Sequence, residues 1–182
     1  MGMRKRAFLF CALAACALAV SAQSYSLRSN ILGLATTNLN LEASMTLNRK
    51  WSLHLPVQYN PFKFGSNRQF RNFYAAPGAR YWLLESYMCG FIGMYGTAGM
   101  YSVGNLFGSK YRYEGEGYGV GLSVGKAYQI GRRWNLEWEV GAGAVWLAYD
   151  KYLCKRCGDL VDSDYGWHFL PTRAALNLVY LF

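Results

Sequence analysis

The chain has 182 residues, a net charge of +9, 53% hydrophobic and 17% aromatic residues. That apolar fraction excludes a disordered polyelectrolyte, and basic residues scattered along the chain rather than striped argue against a nucleic-acid partner. The length suits one domain with a full core.

In chain order, "MGMRKRAFLFCALAACALAVSAQS" runs from Arg4, Lys5 and Arg6 through an apolar stretch to Val20-Ser21-Ala22. This is the layout of a secretory signal peptide over residues 1–22, with cleavage after Ala22 and a mature domain over 23–182. The run is too short for a membrane helix, which needs about 20 apolar residues. Leu13-Ala14-Ala15-Cys16 has the form of a lipobox, but the apolar run continues past it to Val20, which favours ordinary cleavage. Without Arg4, Lys5 and Arg6 the balance falls from +9 to +6, a charge that suits contact with acidic lipid or glycan at the rims.

Period-two alternation then recurs from end to end. In "NLNLEASMTLN", Leu39, Leu41, Ala43, Met45 and Leu47 share one face; in "WSLHLPVQYN", Trp51, Leu53, Leu55, Val57 and Tyr59 do so. In "WNLEWEVGAGAVW" the apolar face is Trp134, Leu136, Trp138, Val140, Ala142, Ala144 and Trp146. Such alternation specifies half-buried strands. Eight are expected, near 26–36, 38–47, 51–60, 72–83, 89–101, 115–129, 134–148 and 172–182. Tight turns at 48–50, 84–88 and 130–133 alternate with long connections at 61–71, 102–114 and 149–171, an arrangement typical of outer-membrane barrels with short periplasmic turns. "NRKWSL" and "GRRWNL" repeat one pattern at two of the tight turns.

The expected fold is therefore all-β, an eight-stranded antiparallel up-and-down transmembrane β-barrel. Trp51, Trp134, Tyr180 and Phe182 fall at strand ends as an aromatic girdle. A lipocalin-like soluble barrel alternates equally well, but its outside would be dense in Lys, Glu and Thr. Here the face opposite the aromatics is mostly Gly, Ala and Ser with isolated charges, as a narrow lumen requires. Glu42, Arg80, Glu137, Glu139 and Arg173 lie on that face and read as an ion-pair network, since buried charges need partners; His54 joins them as a lumen residue. The closing run "RAALNLVYLF" places Leu176, Leu178, Tyr180 and Phe182 outward and Arg173 and Asn177 inward. It should pair with the first strand and with the 134–148 strand. Two features fit less well. Lys126 shares the apolar face of Val120, Leu122 and Val124, and must snorkel or follow a bulge. Pro56 and Pro77 each remove a ladder donor, so bulges are expected in that hairpin.

Candidate chemistry is sparse. Cys154 and Cys157 form a CxxC that reads as a small-loop disulfide, half of a zinc site or a redox dithiol. An oxidising compartment favours the disulfide, and zinc would have to recruit His168 with Asp159, Asp162 or Asp164. Cys89 begins a strand at the opposite end and is expected to stay unpaired. Asp162, Ser163, Asp164 and His168 are close in sequence, the residue types of an outer-rim hydrolase, though a solvated polar loop gathers such residues readily. No catalytic residue, metal or cofactor is assigned.

"NPFKF", "ARYWL", "GRRWNLE", "YDKYLCKRCG" and "PTRAALNLVYLF" together resemble a family of small outer-membrane barrels of Bacteroidota, known as a domain of unknown function. The resemblance covers nearly the whole mature chain and implies an eight-stranded barrel. Genes of that family often neighbour fimbrial-subunit genes, which implies surface-appendage biology. The expectation is a non-enzymatic barrel in the outer membrane of a Gram-negative bacterium, with loops that bind a fimbrial or other surface protein. Its other partners would be outer-membrane lipid and the barrel-assembly machinery, which reads an apolar terminal strand. A lipid A-modifying enzyme is the alternative, and a small-solute pore the third.

Overall fold

The computed structural model describes residues 25–64, 68–104, 111–153 and 160–182; the signal-peptide segment expected over 1–22 lies outside them. Ten strands and one short helix follow in order: β1 Tyr25–Asn30, α1 Ile31–Ala35, β2 Leu39–Asn48, β3 Trp51–Asn60, β4 Lys63–Phe64, β5 Arg68–Ala75, β6 Gly78–Trp82, β7 Cys89–Gly104, β8 Tyr111–Gln129, β9 Trp134–Leu153 and β10 Leu160–Leu181. All pairings are antiparallel. β10 pairs with β9 and with β1, β1 with β2, β2 with β3, and β3 through β5 and β6 with β7, so the sheet closes on itself. β5 and β6 occupy one place in the wall and β4 is a stub on β5, so the fold is an eight-stranded closed antiparallel barrel.

The wall differs from the sequence expectation in height. The spans 102–114 and 149–171, expected as loops, are largely strand: β7 runs to Gly104, β8 starts at Tyr111, and β9 and β10 pair up to Tyr152 and Leu160. In β7 to β9 outward polar residues such as Ser102, Glu114 and Asp150 interrupt the apolar face, and in β10 the alternation of Tyr165, Trp167 and Phe169 with Asp164, Gly166 and His168 is out of phase with the strand below Pro171. The first strand is shorter than expected. It ends at Asn30, whose side chain accepts from the Leu32 N–H at 3.1 Å and caps α1.

The expected bulges at Pro56 and Pro77 are absent. β3 keeps one register against β5 and β6, with Val57 opposite Ala75 and His54 opposite Gly78. The Ala76 N–H donates to the Pro56 carbonyl at 3.2 Å and the Gly96 N–H to the Pro77 carbonyl at 2.9 Å. A strand residue points its N–H and C=O to the same side, so each proline loses one bond of a two-bond pair and the other holds the register. The ladder is merely interrupted at Ala76-Pro77. Register shifts occur instead at Thr46/Asn48, Leu160/Asp162 and Pro171/Arg173.

Side chains pointing outward can be followed from strand to strand by register. One row is Tyr25, Met45, Leu53, Ala79, Met94, Leu122, Ala142, Pro171. It returns to β10 eleven residues from Phe182, whose N–H bonds the Tyr25 carbonyl, and one of the eleven belongs to the bulge. A shear of about ten over eight strands tilts the strands by about 40°. The next row up, Leu27, Ala43, Leu55, Pro77, Gly96, Val120, Ala144, Phe169, is also free of polar side chains, as is Leu41, Val57, Ala75, Ala98, Tyr118, Trp146, Trp167. Two rows higher the outward residues are Arg71, Ser102, Glu114, Asp150 and Ser163. Because of this shear each row climbs from β1 to β10, so the outer surface is an apolar belt whose upper rim on β10 is reached at Phe169 and Trp167. The row between, Phe73, Met100, Glu116, Ala148 and Tyr165, carries the first charge above it.

Candidate functional site

The lower lumen is filled by aromatics. Trp82, Phe91 and Tyr87 pack together, with Trp82 and Phe91 ring centroids 4.8 Å apart. Tyr87 reaches this place because the 83–88 turn folds inward at a positive φ of 66°. Its hydroxyl meets Ser44 Oγ at 2.8 Å and its carbonyl accepts from Asn135 at 2.7 Å. That turn is anchored on the 48–50 turn by the Ser86 N–H to the Arg49 carbonyl and by an Arg49–Glu85 ion pair.

Above the aromatics sits a charged layer contributed by six strands. Arg28 on β1 bonds Glu137 at 2.5 Å and approaches Glu42 at 3.5 Å. Arg80 on β6 lies 3.2 Å from Glu42 and 3.0 Å from Glu137, and also bonds Glu139. Arg173 on β10 donates to Glu139 at 2.9 Å. Three guanidinium groups thus face three carboxylates, nearly all fully buried. His54 completes a chain of hydrogen bonds: Trp82 Nε1 donates to Ser52 Oγ (2.7 Å), Ser52 Oγ meets His54 Nε2 (2.7 Å), and His54 Nδ1 meets Glu42 (2.9 Å). Ser52 and Glu42 thus hold the imidazole from its two nitrogens, and Arg80 Nη1 lies 3.2 Å from the same Nδ1. Three guanidinium and three carboxylate charges balance one another in the layer.

β7 and β8 make room for this layer by placing small residues, Gly93, Gly121 and Ser123, at its level. A Cβ at Gly93 would come within 2.5 Å of Ser123 Oγ and 3.4 Å of the Arg80 stem, and one at Gly121 within 2.6 Å of the Tyr95 ring. Tyr95 roofs the layer, with the Arg173 guanidinium 4.4 Å from its ring centre and its hydroxyl 2.5 Å from Thr172.

Of the residues singled out in the sequence, Glu42, Arg80, Glu137, Glu139, Arg173 and His54 meet in this one cluster. Arg28 was missed, although "YSLRSN" carries the signal: Ser26 and Arg28 alternate with Tyr25 and Leu27. Trp134, Tyr180 and Phe182 stack edge-on in one outward patch, with centroids 4.9 and 5.0 Å apart, and Trp51 packs on Tyr81 at 5.3 Å. Lys126 faces outward without a bulge and lays its ammonium 4.9 Å from the Tyr128 ring centre, the snorkelling alternative. Cys89 is exposed and free at the start of β7. Cys154 and Cys157 lie outside the described residues.

The Asp162–His168 group is dispersed. It lies on β10 rather than in a loop, and Asp162, Asp164 and His168 oppose the lumen-side Lys151, Tyr149 and Val145, whereas Ser163 opposes outward Asp150. Ser163 and His168 therefore point to opposite faces, about 16 Å apart along the strand. Among the described residues no group of three or more His, Cys, Asp or Glu could hold a metal ion.

Residues 7–182 match the family described as "Protein of unknown function (DUF3575)". The chain belongs to the DUF3575 family. No curated protein and no solved structure matches it. What this DUF3575 chain offers chemically is a barrel with a packed, neutral interior and an upper wall that stands well above it. That wall is uneven: β7 to β10 carry 16 to 22 residues each, whereas β1, β2 and β3 carry 6 to 10.

Proposed function

We infer that this DUF3575 protein is a non-conducting, non-enzymatic barrel of a Gram-negative outer membrane, whose tall outer wall binds a surface protein such as a fimbrial component. The observation that carries the reading is the outer belt. Along β9 the outward residues run Trp134, Leu136, Trp138, Val140, Ala142, Ala144, Trp146. At a tilt of about 40°, the two end tryptophans stand about 30 Å apart in height, which brackets the apolar band of about 25 Å in such barrels. Polar residues begin above it, with Glu116 in the next row and Arg71, Ser102, Glu114, Asp150 and Ser163 in the one after. In water, three successive apolar rows would be a continuous exposed patch far beyond what a monomer tolerates.

Against a pore stands the filled lumen: aromatics, six paired charges and Tyr95 occupy its section. Against a lipid A hydrolase stands the separation of Ser163 from His168. Expected outcomes are no conductance above background for the purified barrel in planar bilayers, and unchanged lipid A by mass spectrometry in cells carrying Ser163→Ala or His168→Ala. Steady ion currents would make it a pore, and a lipid A change lost in either variant would make it an enzyme.

Phe182, 69% exposed beside Tyr180, supports the membrane reading in its own way. Phe182→Asp should lower the heat-modifiable barrel recovered from outer membranes several-fold, whereas Phe70→Ala in β5 should leave it unchanged. Equal recovery of the two would remove Phe182 from membrane assembly.

A further inference from the structure

β10 is bonded on both sides only in its lower part. Its pairing with β1 ends at Asn177–Asn30, whereas its pairing with β9 continues to Leu160. Just above the end of β1, the Asn30 side chain substitutes for a strand: it accepts from the Leu176 N–H at 3.1 Å and donates to the Ala174 carbonyl at 3.3 Å. Beyond that point no described strand lies on this side of β10.

Which backbone groups face the vacant side follows from the register. Leu176 and Phe182 point their N–H groups to the β1 side and Leu181 points to the β9 side. Below the bulge, the residues with outward side chains are therefore the ones that face β1. The register shift at Pro171/Arg173 moves the outward side chains above it to odd-numbered positions. Ser163, Tyr165, Trp167 and Phe169 then turn their N–H and C=O away from β9. Two further contacts agree with this assignment. The Ser163 N–H is held by Asp162 Oδ1 at 3.0 Å and the Tyr165 N–H by Asp164 Oδ1 at 2.8 Å, each by its own neighbour rather than by a strand. The side chains on these residues are large and bare, with Tyr165 70%, Trp167 60% and Phe169 80% exposed.

We propose that this edge is a strand-addition site for an extended polypeptide segment of a partner, with alternating apolar and basic residues. The proposal rests on the reading of the outer wall as a partner-binding surface and names the partner's chemistry. Backbone donors and acceptors repeating at every second residue are matched by another extended chain and not by lipid or a compact solute. The site has defined ends. Pro171, which lacks a donor, closes it below, and the irregularity at Leu160/Asp162 closes it above. Between them lie about 30 Å of strand, room for a nine-residue segment. On the outward side the added strand's apolar residues would cover Tyr165, Trp167 and Phe169. On the lumen side its cations would meet Asp162 and Asp164, drawing the carboxylates off the two N–H groups they hold and freeing those for the incoming chain.

The test is residue-resolved amide hydrogen exchange on the full mature barrel in detergent micelles, alone and with a twelve-residue peptide of alternating valine and lysine. Alone, the Trp167 and Phe169 amides should exchange at least about a hundredfold faster than those of Gly166 and His168, which face β9. The peptide should slow the Trp167 and Phe169 amides at least about tenfold. A valine–glutamate peptide should not, and Trp167→Pro, which removes only a vacant-side donor, should abolish the effect while the barrel still folds. Uniform exchange along 163–169, no slowing by the lysine peptide, equal slowing by both peptides, or failure of Trp167→Pro to fold would each overturn the proposal. Slowing that depends on protein concentration without peptide would also overturn it, assigning the edge to a second copy. Retained heat-modifiability in any of these results leaves the membrane reading standing, so the two can fail separately.

Discussion

Arg80→Ala is expected to destabilise the barrel by about 3–5 kcal/mol, the cost of breaking a buried ion pair from one side. Arg80 is the cation shared by all three carboxylates, at 3.2 Å from Glu42, 3.0 Å from Glu137 and in contact with Glu139. Without it, Arg28 and Arg173 must serve three glutamates, one carboxylate in a nearly dry section is left uncompensated, and the Phe91 ring loses the guanidinium 4.6 Å from its centre. Urea unfolding in lipid vesicles, followed by heat-modifiable mobility, measures the loss. Arg80→Lys should recover only part of it, since a single ammonium cannot form the same fork of bonds. Removing charge in balance, with Arg80→Met and Glu139→Gln together, should cost less than Arg80→Ala alone. A wild-type unfolding midpoint for Arg80→Ala would show that the layer is hydrated and screened.

Leu122→Arg is the second large effect, and it separates lipid from water as the neighbour of the belt. Leu122 points outward in the row that includes Met94 and Ala142, and is 63% exposed. An arginine near the middle of a lipid-facing belt costs about 2–4 kcal/mol, whereas on a water-facing wall the same change is close to neutral. Unfolding in vesicles should therefore register the full loss. Glu114→Arg, in the polar row above the belt, should change stability by no more than about 0.5 kcal/mol. A Leu122→Arg barrel as stable as wild type would return the fold to the soluble class.

The sequence by itself determined the closed eight-stranded wall and which residues face in or out across its middle. A strand has a side-chain period of two, so a belt that is apolar outside and small or charged inside is written directly into the chain, as in Trp134 to Trp146 on β9. For the same reason five of the charges could be assigned to one interior layer, because a residue on the inward face of a narrow barrel has nowhere else to go. Tertiary structure alone decided the rest. The upper halves of β7 to β10 were read as loops because outward polar residues such as Ser102, Glu114 and Asp150 interrupt the apolar face of β7 to β9, and because the apolar face of β10 above Pro171 is out of phase with the one below it. Pro56 and Pro77 left the register intact because each faces a neighbour across a pair with a second hydrogen bond to hold it. The bulge between Pro171 and Arg173 reverses the faces of everything above it, sending Ser163 outward and His168 inward. The sequence shows the apolar positions changing from odd (Tyr165, Trp167, Phe169) to even (Leu176, Leu178, Tyr180), but where between them the extra residue sits is fixed only by how β10 must fit β9 while still closing on β1.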